Sequence, residues 1–210
     1  MTTGPHDALI ATAAKAVLGP LGFRRKGRSR VWIGDHSWWL NVVEFQPSGW
    51  QRGSYLNVAA HWLWSDTGYL SFDHGGRIDG FAAYEADAQF AEAAAGLADK
   101  AVMAARALDE AITSPEALAV VLRASDAVAR PASKGSWPGY HLAVAEALSG
   151  GTAEARLLLE AITDDRVKPA ASRMAALLTD PPRMRQGVSD LIDRQREALK
   201  LPKLSGPAVV

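Results

Sequence analysis

Two stretches of this chain are apolar on both sides of a period-two pattern, and they constrain its fold more than anything else in it. The first is Ser37-Trp38-Trp39-Leu40-Asn41-Val42-Val43-Glu44-Phe45-Gln46, and the second covers residues 54–64 with Tyr55, Leu56, Val58, Ala60, Trp62 and Trp64. Side chains alternate between the faces of a strand, so a run without polar alternation is buried on both faces and belongs near the middle of a sheet. Pro47-Ser48-Gly49 and Gly53 bracket a loop between the two stretches, and that loop holds Trp50. A sheet with these two strands at its centre is the first expectation.

Residues 24–33 read as a preceding strand with Arg24, Lys26, Arg28 and Arg30 on one face, ending in Val31-Trp32-Ile33. Gly34-Asp35 is then the two-residue turn that closes its hairpin. Ser65-Asp66-Thr67-Gly68 turns the chain after the Trp62–Trp64 region, residues 69–72 read as a short edge strand, and residues 73–80 as a loop. Ahead of the sheet, Thr3 can cap a helix with Pro5 in its first turn. Leu9, Ala13, Ala14, Val17 and Leu18 approximate its apolar stripe, and Gly19-Pro20 stops it.

From about residue 86 the period changes to that of a helix. Phe90, Ala94, Leu97, Ala101, Ala105, Leu108 and Ile112 make a stripe that can lie across the sheet. Ser114-Pro115 restarts a helix, with proline at its first position. Residues 126–138, rich in Ala, Ser, Pro and Gly, read as a linker and a subdomain boundary. Beyond it come a helix over 140–148, a break at Gly150-Gly151, a Thr152-capped helix over 153–163, and a last helix from Asp180-Pro181 to about Lys200. Ala143, Ala147 and Ala155 would let helices approach closely, and no fixed-period repeat is present. The expected fold is α+β: an N-terminal helix, a three- to four-stranded antiparallel sheet covered by a long helix, and a C-terminal helical hairpin extension. The expected organisation is an α+β domain over 1–125, a linker over 126–138, a helical extension over 139–200 and a disordered tail over 201–210.

The chain has no cysteine, which excludes disulfides, thiolate metal sites and a cysteine nucleophile and fits a reducing cytoplasm. The first residues lack a basic region followed by an apolar core, so no signal peptide is expected, and no apolar run reaches the ~18 residues that a membrane span needs. Net charge is zero but uneven. Residues 1–33 hold six Lys/Arg against Asp7 alone, and residues 34–99 hold Arg52 and Arg77 against nine acidic residues. Blocks of opposite sign neutralise one another where they meet, so the basic block is first read as paired surface.

The run Leu18-Gly19-Pro20-Leu21-Gly22-Phe23-Arg24-Arg25-Lys26-Gly27, with Arg30 after it, resembles the opening of a bacterial family of unknown function, domain of unknown function 4304. That family is similar in having a helix, then a Gly-Phe-x-Arg/Lys-Lys-Gly entry, then antiparallel strands. Leu40-Asn41-Val42-Val43-Glu44-Phe45-Gln46 resembles its second strand and Leu56-Asn57-Val58 its third. The resemblance covers residues 8 to about 64, and loosely to 125. It implies a fold and no activity.

Candidate functional residues fall into four groups. Arg24, Lys26, Arg28 and Arg30 could hold phosphates while tryptophans stack bases, but a sequence pI near 7.0 is not that of a nucleic-acid binder. Asn41, Asn57 and His61 sit inside apolar strands. If their faces align they converge, either on a small groove or on a satisfied core, because a buried amide left unpaired costs about 1–3 kcal/mol. Asp35 with Glu44 and His61 faintly matches a metal-dependent hydrolase or nuclease, with Gln46 where a lysine is usual, and His61, Asp73, His74 and Asp79 could make a metal or acid–base set. Trp50 and Trp137 both fall in loops beside Gly and Pro, where an exposed indole suits an interface. No Gly-x-Ser-x-Gly, His-Glu-x-x-His, Walker or dinucleotide motif occurs. The expected function is a non-catalytic module that binds a protein or peptide, in an accessory, regulatory or immunity-like role, with no cofactor, no metal and no membrane. Nucleic-acid binding and a metal-dependent hydrolase are the alternatives, and a homodimer is compatible with each.

Overall fold

The computed structural model of the chain describes residues 5–78 and 80–208, so the expected cap Thr3 and the candidate Asp79 lie outside the described residues. At the centre of an antiparallel sheet lie β3 (Trp39–Pro47) and β4 (Gly53–Trp62), the two bilaterally apolar stretches. β1 (Arg24–Arg25), β2 (Val31–Asp35) and β5 (His74–Arg77) extend it in the order β1-β2-β3-β4-β5, and β6 (Ala82–Ala83) pairs with the start of β4. The sheet therefore has six strands among the described residues, against the three or four expected.

Two strand assignments move. Residues 24–33 are not one strand. The chain reverses over 26–30, where the Lys26 N–H donates to the Val31 carbonyl at 2.9 Å and the Ser29 N–H to the Lys26 carbonyl at 3.1 Å. Gly34 and Asp35 lie inside β2, opposite Asn41 and Leu40, and the β2–β3 turn falls over 36–38, with Ser37 at φ +70°. Gly34 is needed for closeness instead of turning, since a Cβ there would sit 2.9 Å from the Phe23 ring. The edge strand is at 74–77 and not at 69–72. His74 pairs with Ala60 and Arg77 with Asn57. Its two glycines read as loop, yet Gly75 at φ +107° lets the backbone press on β4, where a Cβ would lie 2.6 Å from the Val58 carbonyl oxygen.

The chain divides into two compact units, the first holding residues up to His61 with Ser71–Asp109, the second Trp62–Leu70 with the residues from Glu110 onward. In the first, α1 (Pro5–Leu18) and α2 (Asp87–Ala111) cover one face of the sheet. Ile10, Ala14 and Leu18 of α1 and Phe90, Ala94, Leu97, Ala101 and Ala105 of α2 share a core with Trp32, Val43, Phe45, Leu56 and Val58. The alanines at that spacing let α2 lie close to the strands.

The second unit is helical: α3 (Pro115–Ala127), α4 (Pro131–Lys134), α5 (Trp137–Leu148), α6 (Thr152–Glu160), α7 (Lys168–Leu177) and α8 (Pro181–Ala198). Ser114 caps α3 by accepting from the Ala117 N–H at 3.2 Å, and Asp180 caps α8 through the Arg183 N–H at 3.2 Å. Thr152 is the first residue of α6 and caps nothing, its N-cap place being taken by Gly151. Every residue of α5 from Gly139 to Leu148 is buried, which makes α5 the central helix of the unit. The expected linker is mostly helix, with α4 tied to α3 by a 3.0 Å Lys134–Asp126 ion pair. Trp62, Leu63 and Trp64 are fully buried and belong to the helical unit, where the Trp64 Nε1–H donates to His141 Nδ1 at 3.2 Å. Residues 201–208 carry no helix or strand, and at their start the Arg196 guanidinium donates twice to the Pro202 carbonyl, at 3.1 and 2.7 Å. Among the described residues no helix is long and apolar enough to cross a membrane.

Candidate functional site

Register decides which polar residues meet. Asn41 pairs with Gly34 on the face toward α2, whereas Asn57 pairs with Arg77 on the opposite face. The two amides and His61 therefore do not converge. Asn41 is completely buried, and its amide group donates to the Ala105 carbonyl and to Asp109 Oδ1, each at 2.9 Å. The same Asp109 oxygen lies 3.0 Å from His36 Nε2, and the His36 ring stacks on Trp39 at 4.2 Å. This set fastens the end of α2 to β3. Its amide oxygen, Asn41 Oδ1, has no hydrogen-bond partner.

On the other face, Asn57 Nδ2 donates to Glu44 Oε2 at 2.9 Å and to Gln46 Oε1 at 3.1 Å. Arg77 Nη2 donates to Gln46 Oε1 at 2.7 Å, and the Arg77 guanidinium lies over the Tyr55 ring at 3.9 Å. Tyr55 in turn meets Phe81 at 5.0 Å. Parity builds this network: Glu44 and Gln46 are two apart on β3, as are Tyr55 and Asn57 on β4. It leaves no free carboxylate pair, because Glu44 is engaged by Asn57.

His61 lies four residues beyond Asn57 on β4, about 13 Å along the strand. It is fully buried, with Nδ1 2.8 Å from Ser71 Oγ and 3.0 Å from Asp73 Oδ2, while the Ser71 hydroxyl donates to Asp73 Oδ1 at 2.7 Å. The composition is that of a hydrolytic triad, but the geometry is not. Nucleophilic catalysis places hydroxyl and carboxylate on opposite ring nitrogens, and here both address Nδ1. Asp35 pairs with Leu40, four residues along β3 from Glu44, so those two carboxylates are about 13 Å apart along the strand. His74 stands opposite Ala60 on β5, and burial lowers its pKa. Among the described residues, no three His, Asp or Glu side chains are grouped to hold a metal ion.

Around the β3–β4 loop the surface is different. Trp50 is 99% exposed, and its N–H donates to Ser48 Oγ at 3.2 Å. The 26–30 turn lies beside this loop: the Phe45 N–H donates to the Arg30 carbonyl at 3.0 Å, and Arg30 Nη1 to the Gly53 carbonyl at 3.3 Å. Arg30 is a tether, mostly buried and ion-paired with Asp7 of α1. Arg25 donates to the Ser29 and Arg28 carbonyls and holds the turn. Arg24, Lys26 and Arg28 are exposed and have no carboxylate partner among the described residues, and Arg52 joins them from the loop. The expected basic face is thus three free cations from the first hairpin plus one that the sequence pattern did not single out. Trp137 opens α5 and is half-buried, stacked on His141 and edge-on to Tyr140, each at 5.6 Å, so it is not a loop residue.

Arg77 and Tyr55 are the residues that sequence reasoning missed. The signal was present in the parity that puts Tyr55 on the Asn57 face, but Arg77 needed β5 to be recognised behind Gly75-Gly76. No family model, curated protein or solved structure matches the chain.

Proposed function

We propose that the first unit is a non-catalytic module that binds a protein partner through the β3–β4 loop, with Trp50 as its anchor. One observation carries this reading: an indole left 99% in water, at the tip of a loop braced by two backbone bonds to Ser48 Oγ. A large apolar side chain held out on a braced turn gains most by entering a pocket on another molecule, and tryptophan is enriched among residues that dominate binding energy. The uncompensated Lys26, Arg28 and Arg52 at the same end of the sheet suit a partner whose apolar pocket is rimmed by acidic residues. Binding without chemistry agrees with the Asn57 and His61 networks, which are satisfied within the chain. An accessory role, regulatory or immunity-like, fits such a module. The resemblance carried by residues 18–27 adds an expected fold and no activity.

The test is affinity capture from cell extract with and without nuclease, comparing wild type with Trp50→Ala. The expected result is a stoichiometric protein that survives nuclease and is lost from the variant, with affinity reduced at least about 30-fold, the ~2 kcal/mol of an interface hot spot. Equal capture by the variant would overturn the anchor. A second reading follows from the same cations: single-stranded nucleic acid, its backbone on Arg24, Lys26, Arg28 and Arg52 and a base stacked on Trp50. It requires binding that falls steeply with salt, and no binding of short DNA or RNA at low salt removes it. The hydrolase reading is not carried forward, because Asp35 and Glu44 lie apart along β3 and the described residues hold no group of three His, Asp or Glu side chains suited to a metal ion.

A further inference from the structure

Away from the sheet, in the helical unit, a cavity of about 190 Å³ opens between α5, α7 and α8. Tyr140 forms part of its wall. The side chain is 1% exposed, and its hydroxyl makes no hydrogen bond to any described residue. The hydroxyl is therefore a donor at the cavity wall that no described residue takes up. Burial, with Arg173 opposing it and Asp66 adding to it, holds the phenol well above its ordinary pKa, so it stays a donor. Arg173 lies close enough to act on that phenol electrostatically and has no carboxylate partner among the described residues. Arg194, on the opposite wall, donates to Asp66 at 3.3 Å and is half-exposed, leaving part of its fork unused. Met174 and Leu177 supply apolar wall.

We propose that this cavity binds a small aliphatic monocarboxylate, with the carboxylate on Tyr140 Oη and the Arg173 and Arg194 guanidinium groups and the hydrocarbon against Met174 and Leu177. Guanidinium forks and a hydroxyl match the lone-pair directions of a planar carboxylate. The volume lies below the roughly 300–1,000 Å³ of sites for drug-sized ligands, which limits the guest to a small acid. Asp190, also on the wall, accepts from Gln186 at 2.8 Å and brings a negative charge. It disfavours a dianion such as phosphate and leaves a place for an α-ammonium group. A simple branched acid and an α-amino acid therefore share the recognised chemistry, and the experiment separates them.

The test is calorimetric titration and thermal shift of the full chain with 4-methylpentanoate, leucine, 4-methylpentan-1-ol and inorganic phosphate, each to about 10 mM, some tenfold above a weak Kd of ~1 mM. Saturable binding of 4-methylpentanoate or leucine is expected, with the better of the two naming the source, and none for the alcohol or phosphate. Tyr140→Phe removes only the hydroxyl. That hydroxyl has no hydrogen-bond partner among the described residues, so the variant keeps the wild-type melting temperature while affinity drops about tenfold, the usual worth of a hydrogen bond to a charge. Arg173→Ala, at an exposed position, should weaken binding at least as much. No binding of either acid, an equal response to phosphate or alcohol, or an unchanged affinity in Tyr140→Phe would each overturn the proposal.

Discussion

Replacing Asn41 by aspartate changes one atom group and should be among the worst substitutions in the sheet, whereas replacing it by leucine should be mild. Both amide hydrogens of Asn41 point at acceptors, the Ala105 carbonyl and Asp109 Oδ1, each 2.9 Å away. In Asn41→Asp a carboxylate faces those acceptors and can donate to neither. Two unit charges at that separation repel by about 6 kcal/mol at an effective dielectric near 20. Asp109 keeps 35% of its side chain in water, which screens the repulsion, so a net loss of about 3–5 kcal/mol at neutral pH is expected. Asn41→Leu loses two bonds of about 1 kcal/mol each but also removes the orphaned buried Oδ1, worth about 1–3 kcal/mol, so its net effect is about 1 kcal/mol or less. The sign of the pH dependence follows from burial. The introduced carboxyl is held above its unfolded pKa of about 3.9, so the native state binds the extra proton and the deficit shrinks as pH falls. A loss of about 3 kcal/mol places that carboxyl about two pH units higher, and the deficit closes between about pH 6 and pH 4. Urea unfolding followed by tryptophan fluorescence, as the difference between variant and wild type at each pH, reads this directly. If Asn41→Asp is within about 1 kcal/mol of wild type at pH 7, the amide does not tether β3 to α2 and the reading of Asn41 as satisfied core is wrong.

Two further predictions rest on charge and burial. Glu146 of α5 is 3% exposed at its side chain and takes both arms of Arg123, whose Nη2 lies 2.7 Å from Oε2. Arg123→Ala should therefore cost about 3 kcal/mol in denaturant unfolding, while Glu146→Leu in the same background restores most of it. His6 has its pKa lowered from 6.5, first by burial and then by Arg30, and it packs on Tyr84 and Phe90. The unfolded state thus binds protons more readily, stability falls as pH drops below about 6.5, and His6→Phe should flatten that part of a Tm-against-pH curve relative to wild type.

Much of the architecture was readable because long apolar periods leave few choices. The central strands, α2 with its Phe90–Ala105 stripe, and the helix starts at Ser114-Pro115 and Asp180-Pro181 stand where the pattern put them. The misplaced elements share a cause, which is that glycine has two uses. Gly34-Asp35 has the composition of a hairpin turn, yet Gly34 serves close packing under Phe23, and the His74–Arg77 strand was hidden by glycines that admit it against Val58. Local composition cannot distinguish a glycine that turns the chain from one that lets another atom approach. The boundary at 126–138 failed similarly: Ala, Ser and Pro make a good short helix when Pro131 takes its first turn.

The site was less legible, because convergence depends on parity between strands and parity depends on where each hairpin turns. Asn41 and Asn57 look equivalent when each strand is read alone. Once Gly34 is placed opposite Asn41 and Arg77 opposite Asn57, they fall on opposite faces with separate partners. The turn at 26–30 does the same to the basic residues, turning Arg30 inward to Asp7 while Lys26 and Arg28 stay outside. Trp50 needed no register: an indole between Pro47-Ser48-Gly49 and Gly53 lies in the β3–β4 loop, and the loop leaves it 99% exposed. The Asn57, Glu44 and Gln46 amides and carboxylate and the His61 ring nitrogen are thus engaged within the chain, whereas Trp50 with Lys26, Arg28 and Arg52 lies exposed at one end of the sheet, which is why binding and not catalysis is the function proposed for this unit.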